Sequence, residues 1–146
     1  MKIKIFILIC IIPGYLSCQK DNGFDLTTSN EKLIGFWVNP SYPDSFLILS
    51  KYSRLKENEY GIAFMSDGSL VERKNAGWCG TPPISYGDFN GTWNMKDSIV
   101  NINVDYWGGK ANYKWNIISL SDSELKILVK EQKYDHTLSA FIRNTP

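Results

Sequence analysis

A chain of 146 residues is the size of a single domain, and its 43% hydrophobic and 21% charged residues are typical of a globular protein. This composition excludes a largely disordered chain and a protein with several membrane spans. The formal net charge is only +1 with no long run of one sign, so the basic surface of a nucleic-acid-binding protein is not expected and nucleic acid is not a predicted partner.

The first 17 residues have the order of a signal peptide. Residues 1–4 carry two lysines, and residues 5–12 form an apolar run that is too short to span a bilayer. The next segment, Leu16-Ser17-Cys18, resembles the end of a bacterial lipoprotein signal, in which the cysteine receives lipid and becomes the mature N-terminus. The resemblance implies a lipid anchor on Cys18 in the cell envelope, at the outer membrane. An uncleaved membrane anchor is the alternative.

Residues 18–31 predict a lipidated N-terminus and a flexible tether, because they are polar and show little apolar periodicity. Residues 32–146 form the predicted domain. The start of the tether, Gln19-Lys20-Asp21, loosely resembles the surface-export signals of Bacteroidetes lipoproteins. Location of the domain on the cell surface and location on the periplasmic face of the outer membrane are both consistent with this sequence.

Alternating apolar and polar residues recur through the domain and predict an antiparallel sheet with one buried face. In the clearest strand, Ala111, Tyr113, Trp115 and Ile117 share the apolar face. No dozen residues show a helical repeat, so no flanking helix is predicted. The expected fold is all-β, a small antiparallel up-and-down β-barrel, with a β-sandwich as the alternative. Nine strands are predicted, over residues 32–39, 45–52, 60–65, 69–74, 89–95, 100–106, 110–117, 125–130 and 138–143.

Two G-x-W motifs lie in the predicted strands, Gly35-Phe36-Trp37 and Gly91-Thr92-Trp93. The series formed by the first motif, residues 64–68, the second motif and residues 115–121 running into 124–130 resembles the lipocalin-like lipoproteins of Bacteroidetes. The resemblance makes Gly35, Trp37, Gly91 and Trp93 a fold signature and implies that Trp37 packs across the closed end of the barrel. It also implies a membrane-tethered, non-enzymatic binding module for a small apolar or amphipathic ligand. An envelope protein that contacts other proteins and has a solidly packed barrel is the alternative.

The titratable residues offer little catalytic chemistry. His136 is the single histidine and is predicted in a polar turn over residues 133–137. A structural zinc site normally needs four Cys or His ligands, so no metal, cofactor or catalytic residue is predicted. A carboxylate pair such as Asp88 and Asp105 leaves a hydrolase of envelope polymers as a further alternative.

Residues 75–88 form a Gly- and Pro-rich connection that is too long for a hairpin turn. Trp78, Cys79, Ile84 and Tyr86 make it a candidate loop for a ligand or a partner, and a cover for the barrel end is the alternative. Cys79 has no predicted intramolecular partner once the other two cysteines are assigned to the signal peptide and the lipid. We interpret Cys79 as a small, half-buried hydrophobic residue, with a reactive or intermolecularly paired thiol as the alternative.

Overall fold

A computed structural model describes residues 26–77 and 83–136, with side chains from residue 29 onwards. The predicted signal peptide, Cys18, most of the predicted tether and the predicted strand 138–143 lie outside the described residues. Trp78 and Cys79 lie outside them as well. Within the described ranges, no helix combines the length and apolar character needed to cross a membrane.

The described residues form one helix and eight strands. The elements are α1 (Leu26–Leu33), β1 (Gly35–Ser41), β2 (Phe46–Tyr52), β3 (Gly61–Phe64), β4 (Ser69–Asn75), β5 (Tyr86–Lys96), β6 (Ile99–Tyr106), β7 (Gly109–Leu120) and β8 (Glu124–His136).

The eight strands close into a barrel in which every neighbouring pair is antiparallel, in the order β1-β2-β8-β7-β6-β5-β4-β3. The predicted all-β, antiparallel barrel is therefore confirmed. One connection departs from simple up-and-down order, because β1 lies between β2 and β3 and β2 pairs with β8. Residues 53–60 make that connection. They are long enough to pass β1, since neighbouring strands lie only about 4.8 Å apart.

The connection over residues 53–60 is hydrogen-bonded to β1 and to β4. Lys56 Nζ donates a hydrogen bond of 2.6 Å to Asn39 Oδ1 in β1. The backbone carbonyl of Lys56 accepts one of 3.1 Å from Arg73 Nη1 in β4. The polar sequence of this segment therefore has partners in the barrel wall.

β8 is longer than predicted. The strand runs to His136, which pairs with Gly109 across the β7–β8 ladder, so the predicted turn over residues 133–137 is wrong up to residue 136. The polar composition suggested a turn, but this half of the strand is exposed and opposes charged residues of β7, such as Lys114 opposite Glu131. A strand without a buried face lacks the alternation by which strands are recognised.

The short helix α1 was not predicted and occupies the last part of the predicted tether. Its eight residues contain little apolar periodicity, and only Leu33 and Ser29 are buried among its described side chains. Isolated helices of this length are marginal in water, so contacts with the barrel must supply its stability.

α1 is held over one end of the barrel by hydrogen bonds to its C-terminal carbonyls. Trp37 Nε1 donates to Leu33 O at 2.7 Å, and Lys51 Nζ donates to Lys32 O at 2.7 Å. The Lys51 ammonium also lies 5.1 Å from the centre of the Trp37 ring. These contacts satisfy carbonyls that a helix end leaves without partners, and they place a cation where the helix dipole favours one. We call this end, defined by α1 and Trp37, the closed end.

The glycines of the two G-x-W motifs occupy positions near the closed end where a side chain would not fit. Gly35 has φ of +130°, a conformation that side chains rarely allow. At Gly91, a Cβ atom would lie only 2.3 Å from the carbonyl oxygen of Asn103 in β6. Trp93 Nε1 donates to Met65 O at 3.0 Å, and the Trp93 ring packs edge-on against Phe64. Both motifs therefore lie in the packed half of the barrel.

The closed end is filled by side chains. The predicted inward face of β7 is confirmed, since Ala111, Tyr113, Trp115 and Ile117 are all buried. The fully buried side chains that form the centre of the core are Leu33, Trp37, Leu49, Ile62, Phe64, Leu70, Val100, Val104, Leu125 and Ile127.

Replacing Trp37 by Ala should lower the free energy of unfolding by about 3–5 kcal/mol, because a fully buried aromatic side chain is removed. Trp107→Ala is the matched control, since Trp107 is 51% exposed in the β6–β7 turn and its loss should change stability little. Urea unfolding of the full-length protein measures both. Equal losses would contradict the role given to Trp37 at the closed end.

Candidate functional site

The opposite end of the barrel, which we call the mouth, contains a cavity of about 260 Å³. Its wall combines apolar, aromatic and charged side chains, whereas the closed end is almost entirely apolar. Tyr42 and Tyr134, both exposed, border the cavity, so it reaches the surface. The residues that line it are Tyr42, Leu47, Tyr60, Glu72, Lys74, Tyr113, Trp115, Val129, Gln132 and Tyr134.

An ion pair lies in the wall of this cavity. Lys74 Nζ donates to Glu72 Oε2 at 2.5 Å, and the two side chains are only 15% and 3% exposed. β4 positions both, because alternate residues of a strand share a face and Leu70, Glu72 and Lys74 all point into the barrel. A buried ion pair loses hydration and seldom adds much stability, so this pair is a candidate for a functional role.

Two tyrosines complete the hydrogen bonding of the carboxylate. Tyr60 OH donates to Glu72 Oε1 at 3.0 Å, and Tyr113 OH donates to Glu72 Oε2 at 3.3 Å. Lys74 Nζ also donates to Tyr113 OH at 3.1 Å. The four side chains, Tyr60, Glu72, Lys74 and Tyr113, form a connected network that we call the mouth cluster.

Aromatic rings surround the ammonium of the mouth cluster. Lys74 Nζ lies 5.4 Å from the centre of the Phe89 ring, 5.5 Å from that of Tyr113 and 6.0 Å from that of Tyr106. Ring faces attract cations at these distances. They compensate part of the hydration that Lys74 loses inside the barrel.

The phenols of the mouth cluster are strongly held in their protonated form. Burial, followed by the negative charge of Glu72, raises the pKa of Tyr60 well above its ordinary value of 10.0. The same two causes, in the same order, raise the pKa of Tyr113. Both hydroxyls therefore remain hydrogen-bond donors to Glu72 throughout the physiological range.

Composition does not distinguish Glu72 and Lys74 from solvated strand residues, which is why the sequence did not identify them. The available signal is the alternation of β4. Leu70 belongs to the core, and the two charges follow it at the even positions of the same strand. A charged pair on the apolar side of a strand is the pattern that would have predicted the mouth cluster.

The described part of the candidate loop over residues 75–88 does not line the mouth cavity. Ala76 N donates to Ser85 O at 2.7 Å, so the β4–β5 hairpin continues beyond the strands. Ile84 is half-buried. Tyr86, also half-buried, borders a separate concavity of about 300 Å³ beside Arg73 and Asp88.

The other residues considered for chemistry have separate partners. Asp88 accepts two hydrogen bonds from Arg73, at 2.6 and 2.7 Å, whereas Asp105 pairs with Lys110 at 2.6 Å. His136 Nδ1 lies 2.9 Å from Tyr106 OH. In the part of the chain that the structure describes, no three His, Cys, Asp or Glu side chains lie together as a metal site would require.

A polar groove of about 450 Å³ crosses the outer face of β5 to β8. Its asparagines bond to one another and to an acid: Asn103 Nδ2 donates to Asn112 Oδ1 at 2.7 Å, and Asn112 Nδ2 donates to Asp135 Oδ2 at 3.2 Å. These polar groups already satisfy one another on an open surface. The mouth cavity is smaller, but it combines concavity, aromatic walls and a buried charge pair, which are the usual features of a ligand site.

Tyr60 and Tyr113 should resist ionisation as the pH rises past about 10, the value at which an unperturbed tyrosine titrates. Their folded-state pKa values are raised, so their contribution to stability is complete below about pH 10 and falls above it, as the unfolded chain releases protons that the folded chain retains. Near-ultraviolet absorbance of tyrosinate measures the titration. Tyr113→Phe should remove absorbance only from the step that accompanies alkaline unfolding. Loss of absorbance from a step at lower pH, while the chain is still folded, would contradict the burial of the mouth cluster.

Comparison with known proteins agrees with this architecture. The family described as a lipocalin-like domain matches residues 50–127, just over half of the chain. No curated protein and no solved structure has significant similarity to the chain. The matched range begins near the end of β2 and ends near the start of β8, so it contains β3 to β7 entirely and all four residues of the mouth cluster. With an eight-stranded closed barrel and a family match over most of the domain, the chain belongs to the lipocalin-like family.

Proposed function

We propose that this protein is a non-enzymatic binding module of the bacterial cell envelope, tethered by lipid on Cys18, which holds one small apolar or amphipathic ligand in the mouth of its barrel. The observation that carries the proposal is the division of the barrel interior. The closed end is packed by side chains, whereas the mouth has a cavity of about 260 Å³ with a buried ion pair in its wall.

The number of strands supports a single small ligand. An eight-stranded barrel has an interior that side chains can just fill or that can hold one small molecule. Ligand sites of folded proteins usually have volumes of about 300–1,000 Å³, so this cavity, at about 260 Å³, is slightly smaller than that range. It suits a compact ligand, or the head of a longer one whose remainder projects into solvent.

The chemistry of the wall supports binding over catalysis. The carboxylate of Glu72 already accepts hydrogen bonds from Tyr60, Lys74 and Tyr113. A general base needs a free lone pair close to a substrate proton, and this carboxylate is shielded behind its donors. Polar groups held in this way orient a ligand among aromatic side chains.

Contact with another envelope protein is the second candidate function. It is favoured by the exposed aromatic residues at the mouth, where Tyr42 and Trp107 leave large apolar surfaces in contact with water. Such residues are enriched in protein interfaces. The two functions can be distinguished at the cavity, because only ligand binding requires the cavity to be accessible.

Val129→Phe should displace the ligand, because Val129 lines the mouth cavity and a larger ring would occupy part of its volume. Ile118→Phe is the matched control, an exposed β-branched residue of β7 outside the cavity. Native mass spectrometry of the full-length lipoprotein, incubated with an envelope extract, measures the bound mass. We expect an adduct on the parent and on Ile118→Phe, and its loss from Val129→Phe.

A folded parent that never carries an adduct would overturn the small-ligand proposal in favour of protein contact. An adduct that persists at full occupancy in Val129→Phe would place the ligand outside the mouth cavity. A thermal melt of each variant establishes that it is folded.

Cys18→Ala should abolish membrane attachment through lipid, because the proposed acceptor of the acyl chains is removed. Two or more chains anchor a protein stably, with about 0.8 kcal/mol for each buried methylene. Metabolic labelling with palmitate, followed by fractionation of membranes, measures the effect. Cys10→Ala is the control and should retain the label. Label that persists in Cys18→Ala would contradict the anchor.

A further inference from the structure

We infer that the mouth cavity selects small planar carboxylates, with the ligand carboxylate bound by the ammonium of Lys74 and the ring packed against the aromatic wall. This inference rests on the proposed function and names the chemical class of its ligand.

The cationic member of the ion pair is the one that a ligand meets. The Lys74 side chain is 15% exposed and the Glu72 side chain only 3%. Both carboxylate oxygens of Glu72 are engaged, one with Tyr60 and the other with Lys74 and Tyr113. A molecule that enters the cavity therefore approaches an ammonium group, with its counter-charge behind it.

The Lys74 ammonium retains a donor for that ligand. It has three N–H groups, and its oxygen partners among the described residues are Glu72 Oε2 and Tyr113 OH. The third N–H has no oxygen partner in this part of the chain. A carboxylate is a strong acceptor for it, because both partners of the hydrogen bond are then charged.

A cationic ligand fits the same wall less well. Aromatic faces attract cations, but those nearest the mouth cluster, of Phe89, Tyr106 and Tyr113, already lie around Lys74 Nζ. A second cation in the cavity would be repelled by the first across a medium of low dielectric constant. The wall is therefore complementary to an acceptor group with negative charge.

The remaining walls select a flat and short molecule. The rings of Tyr113 and Trp115 are parallel, with an interplanar angle of 1° and centres 6.2 Å apart. Leu47 and Val129 also line the cavity as aliphatic residues. Beyond Trp115 the barrel is filled by the core, so a long acyl chain could not extend towards the closed end. One or two fused rings match this space better than a fatty acid.

The test uses three naphthalene derivatives of similar shape that differ in charge: 2-naphthoate, 2-naphthamide and 2-naphthylmethylammonium. Calorimetric titration of the full-length protein in detergent measures each affinity. We expect naphthoate to bind about tenfold or more tightly than the amide, as a charge-assisted hydrogen bond provides, and the ammonium to bind most weakly. Tighter binding of the ammonium or equal binding of all three would overturn the inference.

Substitution of the pair assigns the preference to Lys74. Lys74→Met should reduce naphthoate affinity to that of the amide, whereas Lys110→Met, which removes an exposed ion pair between β6 and β7, should leave it unchanged. Glu72→Gln should increase naphthoate affinity, because the ammonium loses its internal counter-charge. If Lys74 served only to neutralise Glu72, Lys74→Met would leave the ratio of naphthoate to naphthamide affinity unchanged.

Lys74→Met leaves the buried carboxylate of Glu72 without a cation and can weaken the fold. The double variant Glu72→Gln/Lys74→Met removes both charges and keeps the test valid, and it too should lose the preference. If no naphthalene derivative binds while the parent still carries an adduct from envelope extract, the carboxylate class is wrong and the binding function stands. If there is neither binding nor adduct, both fail.

Discussion

Closure of the sheet by β2 and β8 is the constraint on which the rest of the structure depends. Their ladder pairs Phe46 with Leu128 and continues to Ser50 opposite Glu124. Because a closed sheet has no free edges along this seam, every strand must divide its residues between an inside and an outside. The inside of eight strands is narrow, so each inward side chain competes with its neighbours and with any ligand for the same limited volume.

That volume is used in two ways along the barrel axis. At the closed end, Trp37 and Phe64 belong to an apolar core covered by α1. At the mouth, Glu72 and Lys74 replace apolar residues, and Tyr60 OH donates to the carboxylate. A buried charge pair of this kind is tolerated because the hydroxyls and aromatic rings around it satisfy both charges. β4 connects the two regions, since its inward face changes from Leu70 to the charged pair within one strand.

Most of the sheet could be predicted from its alternation. The strands around Val104 and Tyr113 were recognised because one face is apolar and the other polar, and the hairpin at Gly68 because its backbone requires a positive φ. The signal fails where this contrast disappears. α1 has too few apolar residues to show a helical period, and the second half of β8, up to His136, is exposed throughout and mostly polar.

Strand order and the mouth cluster depend on contacts that no local pattern encodes. β1 lies between β2 and β3 because residues 53–60 cross over it. A segment of this length could equally join two adjacent strands as a long hairpin loop, so its sequence does not reveal the crossing. The proximity of Lys74 to Tyr113 joins residues that are distant in sequence. The strand period places each residue on a face, but the register of closure decides which inward residues meet.

The crossing of β1 also favours one order of strand assembly over others. β1 has both of its neighbours within the first part of the domain, so β2, β1 and β3 can pair before the rest of the chain is present. β2 finds its other neighbour only in β8, and contacts between such distant segments form slowly because a long loop must be closed first. Leu47 and Val129 lie on these two strands, so the walls of the mouth meet only when this last seam forms. A chain still lacking β8 has no cavity, and it exposes the unpaired edges through which nascent β-proteins aggregate.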